Sequence, residues 1–174
     1  MEIYVVRHSP VLQAKGLCYG QTDVEVDEQF SSVVTQVHLQ LPTRFDAVYA
    51  SPLTRCVRLA TALERGNVQL DERLKELYFG EWENQRWADL DRNQTERWTQ
   101  DVITQAPPQG ESMLDLLDRV RDWTSVLDFT TDQRILVVTH AGVMRCLLHT
   151  WKGIPLVETF ETEIPYGHIL HFTV

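Results

Sequence analysis

The sequence predicts an α/β fold, a three-layer α/β/α sandwich whose central sheet is mostly parallel. Short apolar segments rich in β-branched residues alternate along the chain with segments whose apolar residues recur at helical spacing. Two of the apolar segments, residues 2–8 and 134–140, end in a histidine, and the second leads through small residues into a helix. No stretch has the composition of a linker, so we expect residues 1–174 to form a single domain.

The first apolar segment predicts a buried strand that ends at Arg7 and His8. An irregular stretch of about twenty residues follows, and a loop of this length inside a compact domain is usually functional. Residues 28–41 then show the i, i+3, i+4, i+7 spacing of an amphipathic helix, with Asp27 as the expected N-cap.

Residues 46–51 predict a second strand, and a strong helix-start signal comes directly after it. Ser51 is the expected N-cap and Pro52 the first helical residue. Arg55 falls in the first turn, off the apolar face of the helix, where backbone N–H groups and the helix dipole favour an anion. Residues 68–71 predict a short strand at the edge of the sheet.

The middle of the chain contains an acidic residue in an apolar setting and a tryptophan-rich insertion. Glu76 lies among the apolar residues of segment 74–82, and a carboxyl group in such a setting suits a proton donor. Glu83 is interpreted as an ordinary surface glutamate. Residues 82–110, approximately, hold three tryptophans among polar residues. They predict an insertion of short helices that covers the open end of the sheet as a lid.

The last third of the chain predicts two further helices and two strands. A long helix follows Ser112, which suits a capped N-terminus. Residues 134–139 predict a buried strand that ends at His140, and residues 142–151 predict the helix that follows it. Residues 168–174 alternate in polarity and predict the last strand.

Charge and cysteine content argue against several classes of function. The chain carries 16 Lys and Arg against 25 Asp and Glu, a formal net charge of −9. This balance argues against a general nucleic-acid or membrane binder but allows a phosphorylated small-molecule substrate. The three cysteines lack metal-site spacing, and the chain begins in strand residues without a leader. We therefore expect a cytoplasmic protein with no metal and no cofactor. The oligomeric state, monomer or homodimer, stays open.

The polar residues at the strand ends predict one site. In open α/β sheets ligands bind beyond the carboxyl ends of the strands, so Arg7, His8, Arg55, Glu76 and His140 are expected to lie together. Two arginines and a second histidine around one histidine would bind a tetrahedral phosphate. A neutral histidine is a good nucleophile toward phosphorus, and arginines can stabilise the charge without a metal. Strand capping would explain either histidine alone, but the pair beside an arginine favours a site.

At these positions the sequence resembles the histidine phosphatase superfamily, also called phosphoglycerate mutase-like. Residues 6–8 are similar to its Arg-His signature, residues 51–56 to its second arginine motif and residues 74–82 to its acid-bearing segment. Residues 110–112 and 138–145 complete the set, and the motifs occur in family order along nearly the whole chain.

The resemblance implies a role for each candidate residue. His8 would be the phosphorylated nucleophile, Arg7, Arg55 and His140 would form the phosphate pocket with it, and Glu76 would be the proton donor.

Within the superfamily, the short length and residues 15–23 look most like the α-ribazole phosphatases. These enzymes remove the 5′-phosphate from α-ribazole 5′-phosphate or from the phosphorylated coenzyme, late in cobalamin biosynthesis. Two departures from the commoner pattern are Ser9-Pro10 after the nucleophile and Asn84 where glycine is usual. The candidate substrate-binding residues are Tyr19, Gly20, Gln21, Thr22 and Trp82.

Several functions remain open at this point. A small-molecule phosphomonoesterase, specific for α-ribazole 5′-phosphate or broad, is favoured over a phosphoglycerate mutase because the chain is short. A protein phosphohistidine phosphatase usually lacks an inserted lid, so residues 76–108 argue against it. A non-catalytic module that binds phosphorylated ligands is disfavoured because all five chemical groups are present.

Overall fold

The centre of the fold is a five-stranded sheet, seen in a computed structural model that describes residues 1–12, 16–130 and 132–174. In space its strands lie in the order β3-β2-β4-β1-β5. The first four strands of the chain are parallel, and β5 pairs with β1 in the antiparallel sense. The strands are β1 (Glu2–Arg7), β2 (Ala47–Ala50), β3 (Val68–Leu70), β4 (Arg134–Thr139) and β5 (Ile169–Thr173). The prediction of a mostly parallel sheet with β3 at its edge is confirmed.

Helices cover both faces of the sheet. One core cluster contains buried residues of α1 and α2, and a second contains buried residues of α4 and α5. Successive residues of β4 alternate between these clusters, with Val137 in the second and Val138 in the first. The helices are α1 (Phe30–Gln40), α2 (Thr54–Ala62), α3 (Arg92–Gln100), α4 (Met113–Thr124) and α5 (Ala141–Lys152).

The segment predicted as a lid contains helix α3 and two one-turn 3₁₀ helices, Gly80–Trp82 and Trp87–Asp89. Its three tryptophans pack against one another with ring centroids about 6 Å apart. Elsewhere, Lys15, the first residue of the segment similar to α-ribazole phosphatases, lies outside the described residues. Within the described part of the chain, no helix has both the length and the apolar character needed to cross a membrane.

Two predicted helix N-caps, Asp27 and Ser51, are wrong. Helix α1 begins at Phe30, and the Asp27 carboxylate instead accepts a hydrogen bond from the Gln29 N–H in the preceding turn. Helix α2 begins at Thr54, whose N–H and hydroxyl donate to Asp23 of the distant loop rather than to Ser51. In both cases a tertiary or turn contact replaces the local cap.

The predicted N-cap of α4, Ser112, is confirmed. The hydroxyl of Ser112 accepts from the Asp115 N–H, and the Asp115 carboxylate accepts from the Ser112 N–H at 2.8 Å. This reciprocal capping box satisfies two N–H groups at the start of α4.

The strand register fixes where the candidate residues lie. Arg7 is paired with Thr139, and the His8 N–H donates to the Thr139 carbonyl at 3.0 Å. The Ser51 N–H donates to the Val138 carbonyl at 3.0 Å. The carboxyl ends of β1, β2 and β4 therefore meet at one edge of the sheet, as expected for a parallel arrangement.

Candidate active site

A cavity of about 170 Å³ opens at the carboxyl ends of the central strands. Eight residues line it: Arg7, His8, Leu17, Tyr19, Arg55, Glu76, Phe79 and Trp87. His140 lies directly behind, fully buried, with its ring centroid 5.1 Å from that of His8. The five residues that the sequence singled out for phosphate chemistry are thus brought together.

His8 is held in one orientation by the main chain. Its Nδ1 lies 2.7 Å from the Ser9 carbonyl oxygen, which can only accept, so Nδ1 carries the hydrogen. Burial, followed by the charges of Arg55 and Arg7, holds the pKa of His8 well below its ordinary value. A neutral ring with hydrogen on Nδ1 leaves a lone pair on Nε2. This is the form that a nucleophile toward phosphorus requires.

Two arginines flank the histidine, and both are fixed by main-chain carbonyl groups. Arg7 donates to the Ile164 carbonyl. The fully buried Arg55 donates to the carbonyls of Thr22 at 3.0 Å and Gly20 at 2.6 Å. Within the described residues, the Nε atoms of both arginines are buried without a hydrogen-bond partner. Unpaired buried donors on two cations beside one cavity are well suited to an anionic ligand.

His140 is oriented by the residue that the sequence had suggested as a helix cap. The Ser51 hydroxyl forms a 2.8 Å hydrogen bond with His140 Nε2, and the Cys56 sulfur lies 3.4 Å from the same atom. Burial and the charge of Arg55 hold the pKa of His140 well below its ordinary value. The second histidine is therefore neutral near pH 7 in the absence of a ligand.

Glu76 lies against the N-terminus of α5. Its carboxylate accepts hydrogen bonds from the N–H groups of Leu77 at 2.9 Å and Gly142 at 3.1 Å. A Cβ atom on residue 142 would lie 2.2 Å from the carboxylate, so only glycine allows this approach. The carboxyl group is thereby held on the wall of the cavity.

Glu83 holds the loop that supports Arg55, so its interpretation as an ordinary surface glutamate is wrong. Its carboxylate accepts from the N–H groups of Gln21 at 2.7 Å and Thr22 at 2.6 Å, and from the Thr22 hydroxyl. It also accepts from the Phe79 N–H at 3.1 Å. The residues Gly20 and Thr22, predicted to bind substrate, thus contribute carbonyl groups that hold Arg55, while the Gln21 amide donates to the Glu76 carbonyl.

Tyr166 belongs to the site and was missed by sequence reasoning. Its ring lies 4.1 Å from the guanidinium carbon of Arg7, and its hydroxyl forms a 2.8 Å hydrogen bond with that of Tyr19. The Tyr19 ring in turn lies 5.5 Å from the guanidinium carbon of Arg55. Nothing local marks Tyr166, because only the pairing of β5 with β1 brings it to Arg7 and His8.

Trp82 does not line the cavity, contrary to the prediction that it binds substrate. It is 3% exposed and packs against Trp87 and Trp98. Trp87, which is more exposed, lines the cavity in its place. The prediction chose the wrong member of the aromatic cluster, because sequence spacing does not show which ring faces inward.

The two buried neutral histidines predict a loss of stability in mild acid. Their pKa values are lower in the folded protein than in the unfolded chain, so the unfolded chain binds more protons once the pH falls below about 6.5. We expect the free energy of unfolding to fall between pH 6.5 and pH 5, by up to about 1.4 kcal/mol per pH unit for each histidine. Urea unfolding in a phosphate-free buffer measures this slope.

Two variants show whether the slope comes from the buried histidines or from other titrating groups. His140→Asn is expected to reduce the slope, whereas His38→Asn, on the exposed face of α1, should leave it as in the wild type. Equal slopes in all three proteins would show that His140 is not buried in its neutral form.

Known proteins are similar to this chain over nearly its whole length. Residues 3–174 match the family model described as "Histidine phosphatase superfamily (branch 1)". The "Adenosylcobalamin/alpha-ribazole phosphatase" of Salmonella typhimurium is 27% identical over 96% of this chain and 87% of the relative. The "Probable phosphoglycerate mutase GpmB" of Cronobacter sakazakii is 30% identical over 89% of this chain and 76% of the relative.

The fold also matches solved structures. The crystal structure of the α-ribazole phosphatase from Shigella flexneri superposes with a TM-score of 0.91 and 24% sequence identity. The match covers 100% of this chain and 91% of that one.

Proposed function

Because this chain belongs to the histidine phosphatase superfamily and is a phosphatase, we propose that it removes the 5′-phosphate of α-ribazole 5′-phosphate through a phosphohistidine at His8. The observation that carries the mechanism is the orientation of the His8 ring in the cavity lined by Arg7 and Arg55. Its Nδ1–H is bound to a main-chain carbonyl, and its Nε2 lone pair is free between two fixed arginines.

In the first step the phosphate is bound by Arg7 and Arg55, whose positive charges offset its own, while His140 lies behind His8. The Nε2 lone pair of His8 attacks phosphorus, and the bond to the ester oxygen breaks. Glu76 gives a proton to the departing oxygen, so the alcohol leaves neutral.

In the second step water replaces the alcohol. Glu76, now a carboxylate, takes a proton from that water as its oxygen attacks phosphorus. The bond to His8 Nε2 breaks, which releases inorganic phosphate and restores the neutral histidine.

Two observations support the choice of α-ribazole 5′-phosphate. The relative from Salmonella typhimurium carries that activity in its name and matches 96% of this chain. The described part of the segment similar to α-ribazole phosphatases includes Gly20 and Thr22, which hold Arg55 beside the cavity. The second candidate is a phosphoglycerate mutase, favoured by the match with GpmB at 30% identity.

The test is hydrolysis in EDTA of α-ribazole 5′-phosphate, 3-phosphoglycerate, p-nitrophenyl phosphate and common sugar phosphates. We expect α-ribazole 5′-phosphate to exceed the others in kcat/KM by orders of magnitude. Similar rates for all would make the protein a broad phosphatase, and mutase turnover with 2,3-bisphosphoglycerate would favour the second candidate. Phosphate binding without turnover of any ester would identify a binding module.

The acid role of Glu76 predicts a dependence on the leaving group. Glu76→Gln is expected to slow hydrolysis of an alkyl ester such as ribose 5-phosphate by about 100-fold, since an alkoxide needs a proton to leave. Hydrolysis of p-nitrophenyl phosphate should fall much less, because nitrophenolate leaves unprotonated. Steady-state kinetics on both substrates measure the difference.

A matched control is Glu81→Gln, since Glu81 is exposed and binds only the Gln109 amide among the described side-chain contacts. It should leave both rates as in the wild type. Equal losses on the two substrates in Glu76→Gln would reject the acid role.

A further inference from the structure

A second cavity, of about 150 Å³, adjoins the phosphate cavity. The two share Glu76 and Phe79 in their linings, so the proton donor lies at the boundary between them. The residues that line only the second cavity are Leu77, Trp98, Val102, Met113, Gly142, Arg145 and Phe160.

The walls of this second cavity are mainly apolar. Trp98 and Val102 come from the lid segment, Met113 from the start of α4 and Phe160 from the turn after α5. Dry apolar cavities of about this volume bind benzene, so the space suits a single flat ring.

Arg145 also lines this cavity, and one nitrogen of its guanidinium group is bound by the main chain. Arg145 donates through Nη1 to the carbonyl of Thr162 at 3.1 Å and to that of Thr159, and its guanidinium carbon lies 4.8 Å from the centre of the Phe160 ring. Burial lowers the pKa of Arg145. The guanidinium group is therefore part of the wall, held by main-chain and aromatic contacts.

We propose that this second cavity binds an apolar ring of the leaving alcohol, which makes the preferred substrates phosphate monoesters with a flat aromatic group. The proposal rests on phosphoryl transfer to His8. With phosphorus at His8 and the ester oxygen at Glu76, the organic part of the substrate extends from Glu76 into the second cavity.

The first test measures binding, so that it does not depend on turnover. Benzylphosphonate and methylphosphonate both present a phosphonate to the arginines, but only the first has a ring. We expect calorimetry to give the wild type a preference of about tenfold or more for benzylphosphonate, the order that burial of an apolar group supplies. Equal affinities for the two compounds would overturn the proposal.

Two variants test whether the ring of benzylphosphonate binds in the second cavity. Val102→Phe fills the cavity, and Phe160→Ala removes one wall at a residue that is 41% exposed, so the core is undisturbed. Each is expected to reduce the preference for benzylphosphonate about tenfold. The control Val126→Phe, at a residue 61% exposed beyond the end of α4, should keep the wild-type preference. A preference that survives in both cavity variants would overturn the proposal.

Kinetics separate this proposal from the proposed function. If the wild type hydrolyses benzyl and ethyl phosphate and Phe160→Ala lowers kcat/KM for the benzyl ester alone, the subsite is supported. Equal losses on both esters would refute the subsite and leave the phosphatase in place. If no ester is hydrolysed but the preference for benzylphosphonate remains, the proposed phosphatase reaction is refuted. The proposal that the second cavity binds an apolar ring would still be supported.

Discussion

Replacement of His8 by alanine is expected to abolish turnover while leaving the fold intact. The ring supplies the Nε2 lone pair in the cavity that Arg7 and Arg55 also line, so its loss removes the covalent path. His8 follows the last residue of β1 and its ring faces a cavity, so the pairing of the strands does not depend on the side chain. We expect kcat/KM to fall by about 10⁴-fold or more.

The measurement pairs steady-state rates with trapping of the phosphoenzyme. Wild-type protein quenched during turnover of a ³²P-labelled ester should carry an acid-labile, base-stable label, and His8→Ala should carry none. The control His38→Ala, on the exposed face of α1, should retain both label and rate. Residual activity near the wild-type value in His8→Ala would refute the covalent mechanism.

Replacement of Arg55 by lysine is expected to cause the second largest loss, about 10²–10³-fold in kcat/KM. The guanidinium group holds the carbonyls of Gly20 and Thr22 with two of its nitrogens and faces the cavity beside His8. Lysine keeps the charge but has no planar fork, so it cannot hold the loop and bind phosphate together.

The control is Arg58→Lys, one turn further along α2, where the arginine forms an exposed ion pair with Glu25 at 3.1 Å. This variant should have the same kcat/KM as the wild type. Inhibition by inorganic phosphate shows whether Arg55→Lys acts through phosphate binding. If the variant has lost a phosphate ligand, inhibition weakens along with turnover. Unchanged kcat/KM in Arg55→Lys would mean that charge alone is needed.

The fold was largely predictable because its signals are local or periodic. The apolar runs of β1 and β4 follow from burial on both faces, which leaves little room for polar residues. The helices were found from the spacing of their apolar faces, and Ser112 from its capping box. Because β1 and β4 run in parallel, their carboxyl ends lie at the same edge of the sheet. Arg7, His8 and His140, at the ends of these strands, are therefore brought together.

The residues that were misjudged act through contacts between distant segments. Ser51 has every local property of a helix cap, yet its hydroxyl binds His140, which lies 89 residues away along the chain. Glu83 looks exposed in sequence, but it holds the Gln21–Thr22 loop 61 to 62 residues away. Tyr166 reaches Arg7 only after β5 pairs with β1. Local pattern cannot show such contacts, because they depend on the finished packing of the sheet.

The position of β1 in the sheet has a consequence for folding during translation. It is synthesised before the other four strands of this sheet, yet both of its neighbours, β4 and β5, come from residues 134–173. At ordinary rates of translation its apolar residues, Ile3, Val5 and Val6, wait on the order of ten seconds for a partner. The nascent chain thus carries an unpaired hydrophobic strand until β4 has been synthesised. The candidate active site is complete only after that point, because His140 directly follows β4.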